Sequence, residues 1–551
     1  VGIAGAFFVS GAAALMLQVL WARLLGHVLG ASALAVSTVL TVFMGGLALG
    51  SFWGGRWACR IRRPYLAFAT LEAVVGLYGL AVPDLLEGVA SLQQGLAIDA
   101  SPAAYAIFRF AMAALVLLLP TACMGASLPI LAQGWVRRDA RADQTGHLYA
   151  ANTFGAVFGA ALAGFWAIPT LGVTRTVWLA AGLDLAVAAF VAFGGAYLGS
   201  APEIRRPDDV LRAHLESECA PLERRARLAV IGTYAITGAF SMALQVLWTR
   251  AIGVVIGAST YSFTVILTAY LVGLALGAAL MSRFMHRVRS PLAWIGTLVG
   301  MTGLVVLAAH RVIDALPLVL HRQLLERGVT HFDLHSTNFL LALVVTLPST
   351  LLFGALMPLA LRGAEGAEGA GRVVGRVYAA NTLGCIGGSF AGGFLLLPLL
   401  GVEASILTLG AGLALWSVVL VSRFTGAHRW SVAIAAAAVA FVASAPGWNY
   451  SRWTAGLFRP HVAIGVHGEG WKDRTEVVHH RDGVATSVTV ARNPSSGSLA
   501  LKVNGKVDAS DRGDMPTQIL SGLIPMLVHP DPRSALVIGY GSGVTPGAVL
   551  Q

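Results

Sequence analysis

At 551 residues, 56% hydrophobic and only 12% charged, with a mean hydropathy of +0.73, the chain lies far from soluble domains, in which about a quarter of residues are charged. It reads as a polytopic protein of the lipid bilayer. Its net charge of +11 does not point to nucleic acid, because the basic residues sit mainly in short loops between apolar runs, where membrane topology accounts for them.

In chain order, apolar runs of spanning length fall near 3–25, 31–53, 65–90, 105–132, 147–168 and 173–199, each able to cross a hydrocarbon core of about 30 Å. The first has no cleavage-site pattern and has an internal copy, so it reads as a retained helix rather than a signal peptide. Residues 1–199 then form one six-helix unit. Residues 200–227, with charges of both signs and two prolines, form a cytoplasmic linker. Six further runs follow near 228–250, 258–282, 291–312, 337–362, 375–398 and 402–422, giving a second unit over 228–424.

The second unit is a copy of the first. Gln18, Trp21, Arg23, Gly30, Ser32, Gly46 and Gly50 recur 227 positions later as Gln245, Trp248, Arg250, Gly257, Ser259, Gly273 and Gly277. The run Tyr149-Ala150-Ala151-Asn152-Thr153 recurs as Tyr378-Ala379-Ala380-Asn381-Thr382, now 229 apart. Six is even, so both units enter from the same side and are related by an axis along the membrane normal, the parallel-repeat arrangement of major facilitator transporters. Arginine is concentrated after every second span, as in Arg56, Arg60, Arg62 and Arg63, then Arg283, Arg287 and Arg289, then Arg362, Arg372 and Arg376, which assigns those loops to the cytoplasm. The segment 313–336, with Arg322 and Arg327, reads as a surface helix on the other side.

Past the second unit, 430–445 is an Ala-rich run of 16 residues that reaches only about 24 Å as a helix. It is either a thirteenth span or a helix lying in the interface, and that choice decides the side on which everything after it lies. Residues 446–475 form an interfacial linker carrying Trp448, Tyr450, Trp453 and Phe458, an aromatic stretch suited to a membrane boundary. From Glu476 the pattern changes to soluble β-structure. Val484, Thr486, Val488 and Val490 alternate, 493–497 turns, Leu499, Leu501 and Val503 alternate, and Asn504-Gly505 marks a tight turn. Residues 517–528 read as a helix, and 534–538 as a buried strand entering the turn Gly539, Gly541, Gly543, after which a helix begins. Such a turn lets backbone amides approach a nucleotide or adenosyl group, or is a turn with no ligand.

Inside the membrane, Glu72, Asp84, Arg109 and Asp184 are costly to bury and mark either structural pairing or a transport or proton-relay pathway. Asp84 is the expected partner of Arg109, and Glu72 lies too far from Arg109 to pair. Gln18 with Gln245, and Asn152 with Asn381, occupy equivalent places in the two units, where amides either line a midplane cavity or hold helices together. Gly155 and Gly159, and Gly384, Gly388 and Gly392, have the spacing of close helix contacts. Cys59, Cys123, Cys219 and Cys385 have no metal-like spacing, His27, His286, His310 and His428 suggest no metal site, and no nucleophilic triad is visible.

The duplicated Gln-x-x-Trp-x-Arg hairpin, the Tyr-Ala-Ala-Asn-Thr helix and the tail from Val503-Asn504-Gly505-Lys506 to Gly543 together resemble the bacterial membrane proteins described as fused major facilitator and spermidine synthase proteins. That resemblance implies an α-helical polytopic bundle of two parallel six-helix repeats with a truncated C-terminal α/β spermidine-synthase-like domain over 476–551, in the bacterial inner membrane. It also implies decarboxylated S-adenosylmethionine or S-adenosylmethionine as a donor at Gly539, Gly541 and Gly543, and aminopropyl transfer as the activity. The chain departs from the soluble enzymes at Asn504-Gly505-Lys506-Val507-Asp508, at Gly513, Asp514, Thr517, Gln518 and Ile519, and at Ser542, where their acidic and amine-binding groups would stand. The main expectation is therefore a spermidine-synthase-like membrane protein with altered or absent synthase activity. The alternatives are a transporter of a small amine or metabolite and a non-catalytic subunit that binds other membrane proteins.

Overall fold

The computed structural model describes residues 2–29, 33–95, 102–135, 141–194, 222–257, 260–327, 331–365, 369–424, 428–459 and 475–551. Most of the 200–227 linker, and residues 460–474 of the 446–475 linker, lie outside these. The first repeat comprises α1 (Gly2–Leu29), α2 (Ala33–Ala58), α3 (Pro64–Gly95), α4 (Pro102–Trp135), α5 (Arg141–Ala161) and α6 (Ile168–Gly194). The second comprises α7 (Arg224–Ile256), α8 (Thr260–Phe284), α9 (Pro291–Arg327), α10 (His331–Ala364), α11 (Ala370–Phe390) and α12 (Leu397–Phe424). Nine stretches among the described residues are long and apolar enough to cross a membrane, and two of them, Gln144–Gly194 and Ala370–Phe424, each hold two consecutive helices. The chain is a multi-pass membrane protein whose outer helix faces contact lipid.

Those double stretches show how closely the repeats match. Gly172 (φ 77°, ψ 175°) and Gly401 (φ 77°, ψ 174°) break the helix at equivalent points, in a conformation that a side chain would strain. A π-helical turn precedes each break, at Leu162–Ala167 and at Ala391–Leu396. Within each repeat the predicted glycine contacts are made. Cβ atoms on Gly155 and Gly159 would collide with the α1 backbone at Phe8 and Ala12, and on Gly384 and Gly388 with the α7 backbone at Ala235 and Ala239.

Two expectations fail in the second repeat. Residues 313–327 are not a surface helix but continue α9, with Ile313, Leu316, Leu320 and Leu324 buried on one stripe at helical spacing. His310, expected at a span end, lies within that helix and is fully buried. Next, α13 (His428–Ser444) runs along α9 and α12, with Ile434 facing Gly300 and Ala438 packed with Leu307 and Ala414. It begins beside the end of α12, and the residues after it bond to Glu403 near the start of α12, so α13 passes the length of the bundle.

The tail is thereby delivered to the end of the bundle opposite the arginine-rich loops. There α14 (Tyr450–Trp453) precedes a four-stranded antiparallel meander, β1 (Glu476–Asp482), β2 (Ser487–Arg492), β3 (Leu499–Val503) and β4 (Lys506–Ser510), ordered β1-β2-β3-β4. Asn504 (φ 48°) and Gly505 (φ 79°) make the tight β3–β4 turn. α15 (Met515–Val528) and α16 (Val544–Val549) follow. The aromatic stretch is not a lipid boundary: Trp448 and Trp453 are buried between bundle and sheet. Residues 534–538 are not a buried strand either. They pair with no neighbour, and Leu536 and Ile538 are 86% and 92% exposed, because a strand exists only where another edge accepts its hydrogen bonds. A small four-stranded sheet is what the C-terminal region contains.

Candidate functional site

The two repeats meet along α2 and α4 against α11, and along α5 against α8 and α10. At the arginine-rich end the α2–α11 crossing is backbone on backbone: Gly55 lies against Gly375, and Ala58 against Gly371, whose N–H donates to Gln133 Oε1 at 3.1 Å. Gly146 at the start of α5 likewise abuts Ser282 at the end of α8. α1 and α7 are not among the pairs that close this seam.

The duplicated Gln-x-x-Trp motif stands on those two helices. Gln18 and Gln245 are half-buried, and neither amide has a hydrogen-bond partner among the described residues. One turn on, Trp21 and Trp248 are fully buried and their indole N–H groups are also unpartnered. Buried donors are normally satisfied, so the two indole N–H groups stand out, and they do so at matching places in the two repeats. The asparagines differ. Asn152 is seated on Gly11, and Asn381 on Gly238, with its amide 3.7 Å from Cys385 Sγ, so both lock helix crossings. The sequence offers glutamine and asparagine as equal candidates; only their neighbours separate them. Four tyrosines, Tyr149, Tyr234, Tyr270 and Tyr378, gather nearby on α5, α7, α8 and α11, with Tyr270 bonded to Ser241. Two of these belong to the Tyr-Ala-Ala-Asn-Thr repeat, which was the available signal.

The charged candidates divide in the same way. Asp84 is exposed and the side chain of Arg109 lies outside the described residues, so their expected pairing does too. Glu72 and Asp184 are 3% and 1% exposed and lie within hydrogen-bonding reach of each other, joining α3 to α6. Ser127 Oγ on α4 donates to Glu72 Oε1 at 3.1 Å, Ser10 on α1 faces the same carboxyl, and Asp184 Oδ2 has no partner. Sequence reading named both acids but not their meeting.

At the opposite end the sheet is held by charge. Arg250 donates from Nη1 to Ala485 O at 2.5 Å and from Nη2 to Val484 O at 2.6 Å. Asp482 accepts from Ser487 Oγ at 2.5 Å, from Val402 N at 2.9 Å, and faces His480 Nε2 at 3.3 Å. Burial alone would push its carboxyl up, but these donors outweigh burial and hold it below its ordinary value. Lys502, desolvated and therefore held below the usual lysine range, donates to Thr454 O at 3.1 Å. Tyr450 links this cluster to the bundle, donating to Glu403 Oε2 at 2.9 Å while its ring lies 4.3 Å from that of His480. Glu403 in turn meets His310 at 3.1 Å.

The glycine loop has positive φ at Gly539, Gly541 and Gly543, but α16 behind it is six residues long and no strand leads into it. Ser542 and Thr545 tie the loop to Gln518 of α15. Among the described residues no group of three or more His, Cys, Asp or Glu side chains comes together as a metal site.

No protein-family model and no characterised protein sequence matches the chain. Solved structures do match by shape. The human organic anion transporter TETRAN superposes with a TM-score of 0.51 at 16% identity, covering 76% of this chain and 97% of that one. A major facilitator superfamily transporter, FucP, in the outward conformation, gives 0.48 at 13% identity over 77% and 97%. The first likeness shows the fold alone: the helical region is major-facilitator-like.

Proposed function

We propose that the chain is a secondary transporter that moves a small polar solute, an amine or uncharged metabolite, along the seam between its two repeats. The observation that carries this is the pair of unpartnered amides, Gln18 and Gln245, presented at equivalent points of α1 and α7. A solute held between them satisfies hydrogen-bonding capacity that the protein leaves open, and rocking of one repeat against the other exposes it to either side. The ring of Tyr270, 6.3 Å from that of Trp248, suits an ammonium group. By the positive-inside rule the closed, arginine-rich end is cytoplasmic, which makes α13 a span and puts the sheet outside.

The Glu72–Asp184 pair holds one proton in this reading. Two carboxylates in contact inside an apolar bundle, faced by Ser10, Ser127 and Cys123 and by no cation among the described residues, cannot both carry charge without a heavy desolvation and repulsion cost. The test is uptake of a panel of radiolabelled amines and neutral metabolites into proteoliposomes. Gln18→Leu with Gln245→Leu removes both amides without adding bulk, and loss of two hydrogen bonds predicts uptake lower by about tenfold or more. Equal uptake by the double variant sinks the assignment.

A further inference from the structure

At the arginine-rich end of the α2–α11 crossing lies a cavity of about 310 Å³ lined by Phe52, Arg56, Arg60, Arg372 and Arg376. Its placement follows from helix geometry. Arg56 lies in the last turn of α2 and Arg60 in the turn just past its end, while Arg372 and Arg376 are one turn apart on α11. The two helices run antiparallel in a register set by Gly55 against Gly375 and Ala58 against Gly371, so the two basic pairs converge on one space. Small residues at the crossing bring the backbones together, and the guanidinium groups flank the contact.

Like charges around one small cavity repel each other, and Arg372 and Arg376, of like sign at i,i+4, disfavour their helix. Among the described residues Arg56, Arg60 and Arg372 have no acidic partner. A positive-inside count explains why arginines occur at this end. It does not explain why two from each repeat share one cavity when other arginines of the same end, such as Arg423 at the end of α12, stand apart. The aromatic neighbours add a depth marker. Phe52, Trp53 and Trp57 are 45%, 46% and 53% exposed on the outer face of α2, as at a headgroup boundary, so the cavity opens at the level of lipid phosphates.

We infer that this cavity binds a phosphate group, bridging the two repeats and stabilising their closed arrangement at this end. Planar guanidinium forks match phosphate oxygens in pairs, and those of Arg56, Arg60 and Arg372 suit the charge and oxygen count of a phosphate better than those of a single carboxylate. The phosphate belongs either to an anionic lipid headgroup or to a soluble phosphate compound. The inference is independent of the solute route, since the cavity lies apart from Gln18 and Gln245 and binds whether or not the seam transports.

The test uses the purified full chain in neutral-lipid nanodiscs, read by thermal unfolding and native mass spectrometry. One arm adds phosphatidylglycerol in place of phosphatidylcholine; the other adds inorganic phosphate or pyrophosphate. The expected result is saturable stabilisation in one arm. The variant Arg56→Gln with Arg372→Gln takes one fork from each repeat and weakens that apparent affinity by about tenfold or more, whereas Arg423→Gln leaves it unchanged. Saturable stabilisation by phosphatidylglycerol assigns the site to lipid, and by the soluble anions to a free phosphate. Stabilisation in neither arm, or stabilisation equal in the double variant and the wild type, overturns the inference.

Discussion

The α2–α11 crossing makes a quantitative demand on Gly55. A Cβ at that position would lie 2.7 Å from Gly375 Cα and 2.8 Å from Gly371 O, both backbone atoms that cannot rotate away. Comfortable carbon contacts begin near about 3.5 Å, so Gly55→Ala forces the two helices apart by about 0.8 Å. Overpacking of this kind costs about 1–3 kcal/mol. That strain falls on the closed arrangement only, and it shifts an open–closed equilibrium by about 5- to 150-fold. A native reporter sits one turn beyond: Cys59 is half-buried, with its sulfur 3.9 Å from Gln133 Oε1 and close against Gly369 of the other repeat. Maleimide labelling of Cys59, followed by peptide mass spectrometry, should therefore accelerate several-fold or more in Gly55→Ala, with a monodisperse gel-filtration profile retained. Gly277→Ala is the control, because its clash with the Leu351 backbone lies inside the second repeat and leaves the seam alone. An unchanged Cys59 rate in Gly55→Ala, or an equal rise in Gly277→Ala, would show that the seam is not the element that opens.

Glu72→Gln with Asp184→Asn keeps the shape of both side chains and the bond from Ser127 while removing the exchangeable proton; uptake driven by a proton gradient should vanish and solute exchange at equal pH should persist, and gradient-driven uptake at the wild-type rate would refute proton coupling. Arg250→Gln should release the sheet, seen as about tenfold faster hydrogen exchange over 476–510 for two lost charge-assisted bonds, whereas Arg23→Gln, at the equivalent but exposed site of the first repeat, should not change it. Because the Asp482 carboxyl is held below its ordinary value of 3.8, its contribution to sheet docking is complete above that value and is lost as the pH falls through the lower folded value. Protease protection of the sheet should accordingly fail only in strong acid in the wild type and lose this acid step in Asp482→Asn; failure already complete at about pH 5 would assign the docking to another group.

The parts of this molecule legible in its sequence are those in which a residue's neighbours come from its own repeat and are repeated with it. The glycine contacts of α5 on α1 and of α11 on α7 follow from spacing alone, because a small residue every fourth position on one helix can do little else but admit another backbone. What escaped depends on neighbours distant in sequence. Glu72 and Asp184 lie on α3 and α6, and nothing local to either announces the other. The valine alternation in β2 gives a strand, but the face turned to the bundle is Ser487, Thr489 and Ala491, since it meets the polar cluster of Asp482, His480 and Lys502 rather than a hydrocarbon core.

Residues 534–538 have strand composition and no strand, for want of an edge to pair with. Arg23 and Arg250 state the principle most sharply. Both close the same Trp-x-Arg motif at matching helix ends, yet one is exposed and the other clamps the β1–β2 turn, because only the second repeat has a tail returned to it by α13. Duplication fixes where an arginine stands, and the unduplicated tail decides what it does. It follows that asymmetry of function between the two repeats should map to the residues that touch the tail or the Glu72–Asp184 pair. Exchanging Arg23 and Arg250 environments by deleting 475–551 should make the two sites equally accessible to an arginine-specific reagent, whereas a lasting difference would locate the asymmetry in the bundles themselves.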